Sequence, residues 1–335
     1  LYNGNKRLKT IQQEKLNNQV AELDVATSEN NIQESIAQVY IQILYAAESV
    51  KVNESTLQVS IAQRDRGQEL LNAGSIAKSD FAQLEAQVST DRYQLVTAQA
   101  TLEDYKLQLK QLLELDGENE MNIYLPALSD ENVLAPLPTK KDVYISALSL
   151  RPEIEASKLN VEASELGIGI AKSSYLPTIS LSAGIGTNHT SGSDFTFGEQ
   201  VKNGWNNSIG LSVSVPIFNN RQTKSAVQKA KLQYETSMLS LLDEQKTLYK
   251  TIEGLWLDAN SAQQRYAAAN EKLKSTQISY ELISEQFNLG MKNTIELLTE
   301  KNNLLQAQQE QLQAKYMAIL NTQLLKFYQG DQLAL

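Results

Sequence analysis

The chain has 335 residues, 30 of them basic and 39 acidic, for a net charge of −9. That balance argues against nucleic acid as a partner, because phosphate binding needs a basic surface. With no cysteine and one histidine, His189, there are no disulfides or thiolate metal sites and no basis for a histidine triad or multi-histidine metal site; no catalytic residue, metal or cofactor is expected anywhere in the chain.

The opening "LYNGNKRLKT" lacks a Met and reads as the middle of something longer. A fragment is therefore expected, in which a missing signal peptide carries no information. No apolar run reaches the roughly 18 residues of a membrane-spanning helix. A long helical pattern follows, with Ile32, Ile36, Val39, Ile43, Ala46, Val50 and Leu57 stepping by three and four. It is interrupted inside "LLNAGSIAKSDFAQLEAQV". Gly74 is expected to end the helix in a left-handed conformation. Ser79 is expected to cap a returning helix that runs over about 76–115.

"LDGENEMNIYLPALSDENVLAPLPTKK" then breaks the helical period with its prolines. A short helix is predicted over 142–150, and Pro152 opens another to about 175. "TISLSAGIGT" and "SIGLSVSVPIF" alternate strictly. Ile179, Leu181, Ala183 and Ile185 oppose Ser180, Ser182, Gly184 and Gly186; Ile209, Leu211, Val213, Val215 and Ile217 oppose Ser208, Gly210, Ser212 and Ser214. About ten residues suit a tilted membrane strand, and the pattern fits either a half-buried soluble hairpin or a barrel with a wet lumen. The polar connection between them carries Phe195, Phe197 and Trp205, either an interfacial aromatic girdle or local loop packing.

A second long helix is predicted over 220–289. Its seam is Val227, Ala230, Tyr234, Met238, Leu241, Leu248, Ile252, Leu255, Ala259, Ala262, Tyr266, Ala269, Leu273, Tyr280, Ile283 and Phe287, broken at Gln245 and Thr276. This is heptad spacing with many small residues, and alone it favours a soluble coiled coil. "QFNLGMKNTIELLTEKNNL" repeats the earlier interruption at Gly290, with Asn293 as the cap. Gly290 lies 216 positions after Gly74, and the same offset superposes Tyr2 on Phe218, Leu16 on Leu232, Tyr40 on Trp256, Leu57 on Leu273 and Asp80 on Glu296. An ungapped repeat of about 110 residues exceeds solenoid units of about 20–50. It is an internal duplication, giving two helical hairpins with tips at Gly74 and Gly290.

Each long helix would span roughly 105 Å. A strand pair at the end of such helices has no soluble core to cover its apolar face, whereas lipid can cover it. Open sheet edges are not tolerated in lipid, so several chains must share one barrel.

These pieces together resemble the TolC family of outer-membrane efflux channels, in "LSLRPEIEASKLNVEASELGIGIAKSSYLPTISLSAG", "SVSVPIFNNRQTKSAVQKAKL" and the tips "LLNAGSIAKSDF" and "QFNLGMKNTIELL". The resemblance covers nearly the whole chain, and this sequence is expected to depart from the family in lacking the N-terminal helix and first strand pair. It implies a mostly α fold in which long antiparallel helical hairpins form a periplasmic tunnel. A membrane β-hairpin contributes to a twelve-stranded barrel shared by a homotrimer in the outer-membrane lipid. Implied partners are a periplasmic adaptor and an inner-membrane pump, with no reaction performed. The implied division is a first-copy hairpin over 1–115, an equatorial segment over 116–150, an upper returning helix over 151–176, the β-hairpin over 177–218, a second-copy hairpin over 219–328 and a C-terminal segment from 329.

The resemblance also implies a gate at the tips. A basic residue two positions after the second glycine, here Lys292, pairs with polar and acidic residues of the first tip, here Ser79 and Asp80. Acids just inside the second tip attract cations. Glu296 matches the first of them, and Thr299 stands where a second is often found.

Other signals are weak. Gly184-Ile185-Gly186 lacks the third glycine and helix of a nucleotide loop. Asn188-His189-Thr190 matches a glycosylation pattern that has no meaning in a bacterial outer membrane. Glu281 and Glu285 read as a solvated helix face. The competing assignment is a periplasmic adaptor, which would have one hairpin flanked by small β-domains; a soluble coiled coil comes third.

Overall fold

The computed structural model describes residues 1–115, 123–124 and 133–333. Much of the proline-rich segment, including Pro126, lies outside them. Among the described residues the order is β1 (Tyr2–Asn3), α1 (Lys6–Asn72), α2 (Lys78–Leu112), α3 (Lys140–Leu150), α4 (Pro152–Ser173), β2 (Thr178–Gly186), α5 (Phe197–Asn203), β3 (Asn206–Ser214), α6 (Gln222–Asn288) and α7 (Thr294–Gln329). None of these helices is long and apolar enough to cross a membrane.

The duplication is visible in the element bounds. Adding 216 to the ends of α1 gives the ends of α6, and adding it to the start of α2 gives the start of α7. The entry into each long helix repeats as well. Gly4 and Asn5 have φ of 65° and 63°, and their equivalents Asn220 and Arg221 have 52° and 61°.

The chain divides into two compact units. The first comprises Leu1–Thr27 and Pro152–Lys246 and holds an antiparallel sheet of order β1-β2-β3. Its register pairs Ile179 with Val213, Leu181 with Leu211 and Ala183 with Ile209. Cross-strand partners share a face, so the apolar residues form one face and Ser180, Ser182, Ser208 and Ser212 the other. β3 stops at Ser214 rather than at Phe218 as expected, because Pro216 has no N–H for a ladder. The expected loop contains α5, started by a reciprocal cap in which the Thr196 N–H donates to Glu199 at 2.9 Å and the Glu199 N–H to the Thr196 hydroxyl at 3.4 Å. In the same unit α4 is tied to the start of α1 by Gln13, whose amide donates to the Ala163 carbonyl at 2.8 Å.

The second unit comprises Ser28–Arg151 and Thr247–Leu335. Its core gathers Ile41, Leu44, Val133, Ala262, Tyr266, Tyr316, Ile319 and Leu324. Many seam positions read from the sequence are buried here, among them Ile43, Ala46, Leu57, Leu248, Ile252, Ala259, Ala262, Tyr266 and Phe287, whereas Ile32 is exposed. α3 begins at Lys140, two residues earlier than expected, because Thr139 caps it. Equivalent positions of the two copies hold the connecting segment. The Tyr40 hydroxyl donates to the Tyr124 carbonyl at 2.7 Å, and its counterpart Trp256 donates to the Pro138 carbonyl at 3.0 Å. Arg151 is buried against Glu34 at 3.2 Å and lies 4.2 Å from the Tyr328 ring.

Candidate functional site: the two hairpin tips

Both tips lie in the second unit. α1 ends with the Gly74 N–H donating to Leu71 at 3.0 Å and the Ser75 N–H to Leu70 at 2.8 Å. α6 ends identically, Gly290 to Phe287 at 2.9 Å and Met291 to Gln286 at 2.8 Å. This double bond pattern is the Schellman turn, which puts its C′ residue in the left-handed region. Gly74 and Gly290 have φ of 69° and 72°, so both glycines serve as the sequence implied.

The starts of the returning helices differ. Asn293 caps α7, its side chain accepting from the Glu296 N–H at 2.9 Å while Glu296 accepts from the Asn293 N–H at 3.1 Å. α2 is not capped by Ser79. Its cap residue is Ala77, which has no side-chain acceptor, and Ser79 sits exposed two positions inside the helix. The structure supplies only half of a box there, with the Asp80 carboxylate accepting from the Ala77 N–H at 3.4 Å.

Of the gate residues implied by the resemblance, the chain brings Lys292 and Glu296 together at 2.5 Å. Among the described residues Lys292 makes its ion pair with Glu296 and not with Asp80. Glu296 is held below the ordinary carboxylate range, first by the Lys292 hydrogen bond and then by the Asn293 N–H. Thr299 turns its hydroxyl back to the Ile295 carbonyl at 2.8 Å and adds no charge.

A second constellation lies a few turns inside the tips. Lys301 of α7 donates to both Asp91 of α2 and Ser60 of α1, and Ser60 donates to Asp91. Gln87 donates a third bond to Asp91 at 2.8 Å. Ser60, Asp91 and Lys301 are 2, 1 and 3% exposed. Burial lowers the Lys301 pKa, and Asp91 opposes the shift. Sequence reasoning missed this cluster. Its signal was present as a seam position in each of three helices occupied by a polar residue.

Two duplicated helical hairpins with glycine-closed tips, joined by an alternating strand pair, define a narrow class of protein. The model of the family described as outer membrane efflux protein matches residues 143–330, and the chain belongs to that family. It is 24% identical over 294 residues to the outer membrane efflux protein BepC of Brucella suis biovar 1 (strain 1330), covering 87% of this chain and 61% of that protein. It is 23% identical over 311 residues to the outer membrane protein TolC of Escherichia coli (strain K12), covering 90% and 62%. The chain thus spans less than two thirds of the length of these curated relatives. Its fold matches the outer-membrane channel CmeC of Campylobacter jejuni with a TM-score of 0.81 at 19% identity, over 98% of this chain and 69% of that one. It matches CusC, described as a transmembrane channel, at 0.85 and 18%, over 98% and 75%. These neighbours are channels rather than enzymes, and the family assignment displaces the adaptor reading.

Proposed function

We propose that the whole protein is the outer-membrane exit duct of a multi-part efflux or secretion system. It is a passive homotrimer that docks on a periplasmic adaptor and an inner-membrane pump, with most of the chain in the periplasm. The observation that carries this reading is the face of the strand pair. Leu181, Ile185, Ile209, Leu211 and Val213 stand together on one side and are all exposed in the single chain. Such a stripe needs a cover, and lipid supplies one if copies of the sheet close into a shared barrel. The serine and glycine face would then line water.

A pair of substitutions tests this in the full-length protein. Val213→Lys is expected to cost about 2–4 kcal/mol of insertion near the bilayer midplane, whereas Ser212→Lys, in the lumen, changes conductance instead. Equal insertion of the two, with altered conductance only in Val213→Lys, would reverse the faces.

Within the same reading, the tips gate the duct. In a trimer, three copies of Lys292, Glu296, Ser79 and Asp80 surround one constriction, where symmetry multiplies an interaction that is weak in any single exposed pair. Lys292→Ala or Asp80→Ala is expected to raise the conductance of the closed state, and Glu296→Gln to reduce cation selectivity. Parent-like conductance in both tip variants, in correctly inserted trimers, removes the gate.

A further inference from the structure

Ser60, Asp91 and Lys301 each occupy a buried seam position whose buried neighbours on either side along the helix are apolar or small. On α1 the buried line runs Leu57, Ser60, Gly67; on α2, Leu84, Val88, Asp91; on α7, Leu297, Lys301, Leu304. The steps are threes, fours and sevens, the spacing of residues that face a neighbouring helix. One polar residue at such a position specifies register and partner while lowering stability relative to an apolar one. Here three seams place their polar residue in one layer, and the three side chains satisfy one another.

A duplicated chain has a particular need for such a layer. α2 and α7 start at equivalent positions and follow the same turn. The shared turn alone therefore leaves open which returning helix packs where, and at what register. The layer removes that equivalence. At the repeat-related positions stand Thr276, Ala307 and Glu85. The Thr276 hydroxyl donates to its own helix, to the Lys272 carbonyl at 2.9 Å, while Ala307 is buried and Glu85 exposed. Only one of the two related layers buries charge. A one-turn slide of α7 would bring an apolar side chain to Asp91 and leave its carboxylate buried without a cation, which is strongly unfavourable.

We infer that Ser60, Asp91 and Lys301 are a register clasp, a single charged layer that fixes the register and rotation at which α7 packs on α1 and α2. Lys301 is five residues beyond Glu296, about 7.5 Å along α7, so the clasp also sets the direction in which the second tip presents its charges. That last consequence rests on the reading of the tips as a gate; the clasp itself does not.

The test replaces the layer by apolar residues of similar volume in the full-length protein, Ser60→Ala with Asp91→Leu and Lys301→Met. The chain has no cysteine, so Gln58→Cys and Asn302→Cys, both on exposed positions, can carry the only spin labels on α1 and α7. Distances are read by pulsed electron resonance in detergent-solubilised protein diluted with unlabelled subunits. The parent gives one narrow α1–α7 distance. The triple variant is expected to assemble and to melt at or above the parent's temperature, as buried ion pairs replaced by apolar side chains often do, but to show two or more distances. A single parent-like distance in the triple variant overturns the clasp. So does failure of that variant to assemble, which would make the cluster a source of stability rather than of register. Conductance of Lys292→Ala is recorded in parallel. If it is parent-like while the distances still split, the gate reading fails and the clasp stands.

Discussion

The two copies share a backbone and differ in their chemistry. Gly74 and Gly290 close the same turn with the same pair of bonds; the long helices start and stop, and the returning helices start, at equivalent residues. Yet one returning helix is reciprocally capped and carries a tip ion pair, while the other starts at an alanine. The inner layer buries a charged pair on one side of the duplication and no charge on the other. Turn geometry is constrained by the backbone alone and survives duplication. Caps and buried charges depend on individual side chains and are free to diverge.

The largest expected difference between the copies lies in that inner layer. Asp91→Ala leaves the Lys301 ammonium buried without its counterion and should cost about 3–5 kcal/mol. Thr276→Ala at the related position, where the hydroxyl bonds only its own helix, should cost well under about 1 kcal/mol. Denaturant unfolding of the two variants measures the contrast; equal losses would mean that the copies are energetically alike after all.

The tip glycines should behave as a matched pair. A Cβ at either position would meet nothing within 4 Å, so Gly74→Ala and Gly290→Ala carry only the left-handed penalty, about 1–2 kcal/mol each. Thermal unfolding that separates the two by more than about 1 kcal/mol would show that one tip is strained by its surroundings. The caps should then split the copies in opposite directions. Asn293→Ala removes a made bond and should lose about 1 kcal/mol, whereas Ala77→Asn supplies a missing acceptor and should gain a similar amount. A loss at both positions would mean that the Ala77 backbone does not accept a side-chain cap.

These contrasts also mark what was legible in the sequence. Local rules found the turns, because a left-handed C′ position asks for glycine wherever it occurs. Strict alternation found the strands and their faces, and the 216-residue offset found the duplication. Ser79 was misassigned because the cap preference is statistical, and here the cap falls two residues earlier, at Ala77. The end of β3 was overrun because Pro216 ends the ladder although the apolar alternation continues through Ile217. Helix α5 was missed although "TFGE" carries the threonine and glutamate spacing of a capping box. The Ser60, Asp91 and Lys301 cluster joins residues up to 241 positions apart, so nothing local pairs them. A serine, an aspartate and a lysine among many polar residues become notable only once three seams are seen to meet.

The smallest expected effect concerns the second tip's charge and is read through pH. The pKa of Glu296 is depressed below its usual 4.5, chiefly by the Lys292 hydrogen bond. A carboxyl lowered by its folded surroundings contributes fully above its unfolded pKa, and that contribution is lost as pH falls through the lower folded value. If Glu296 supplies the tip's cation preference, that preference should hold from neutral pH down to about 4.5 and fade only below it. Reversal potentials across a salt gradient, recorded as a function of pH in trimers of the full-length protein, measure this. Glu296→Gln provides the flat reference. Lys292→Met removes the larger of the two causes and should move the loss toward higher pH, while the Asn293 N–H still holds it somewhat below the ordinary range. A parent channel whose preference is already half lost at or above pH 4.5 would mean that Lys292 does not pair with Glu296 once the tips are assembled, and that the two copies end in electrostatically similar tips.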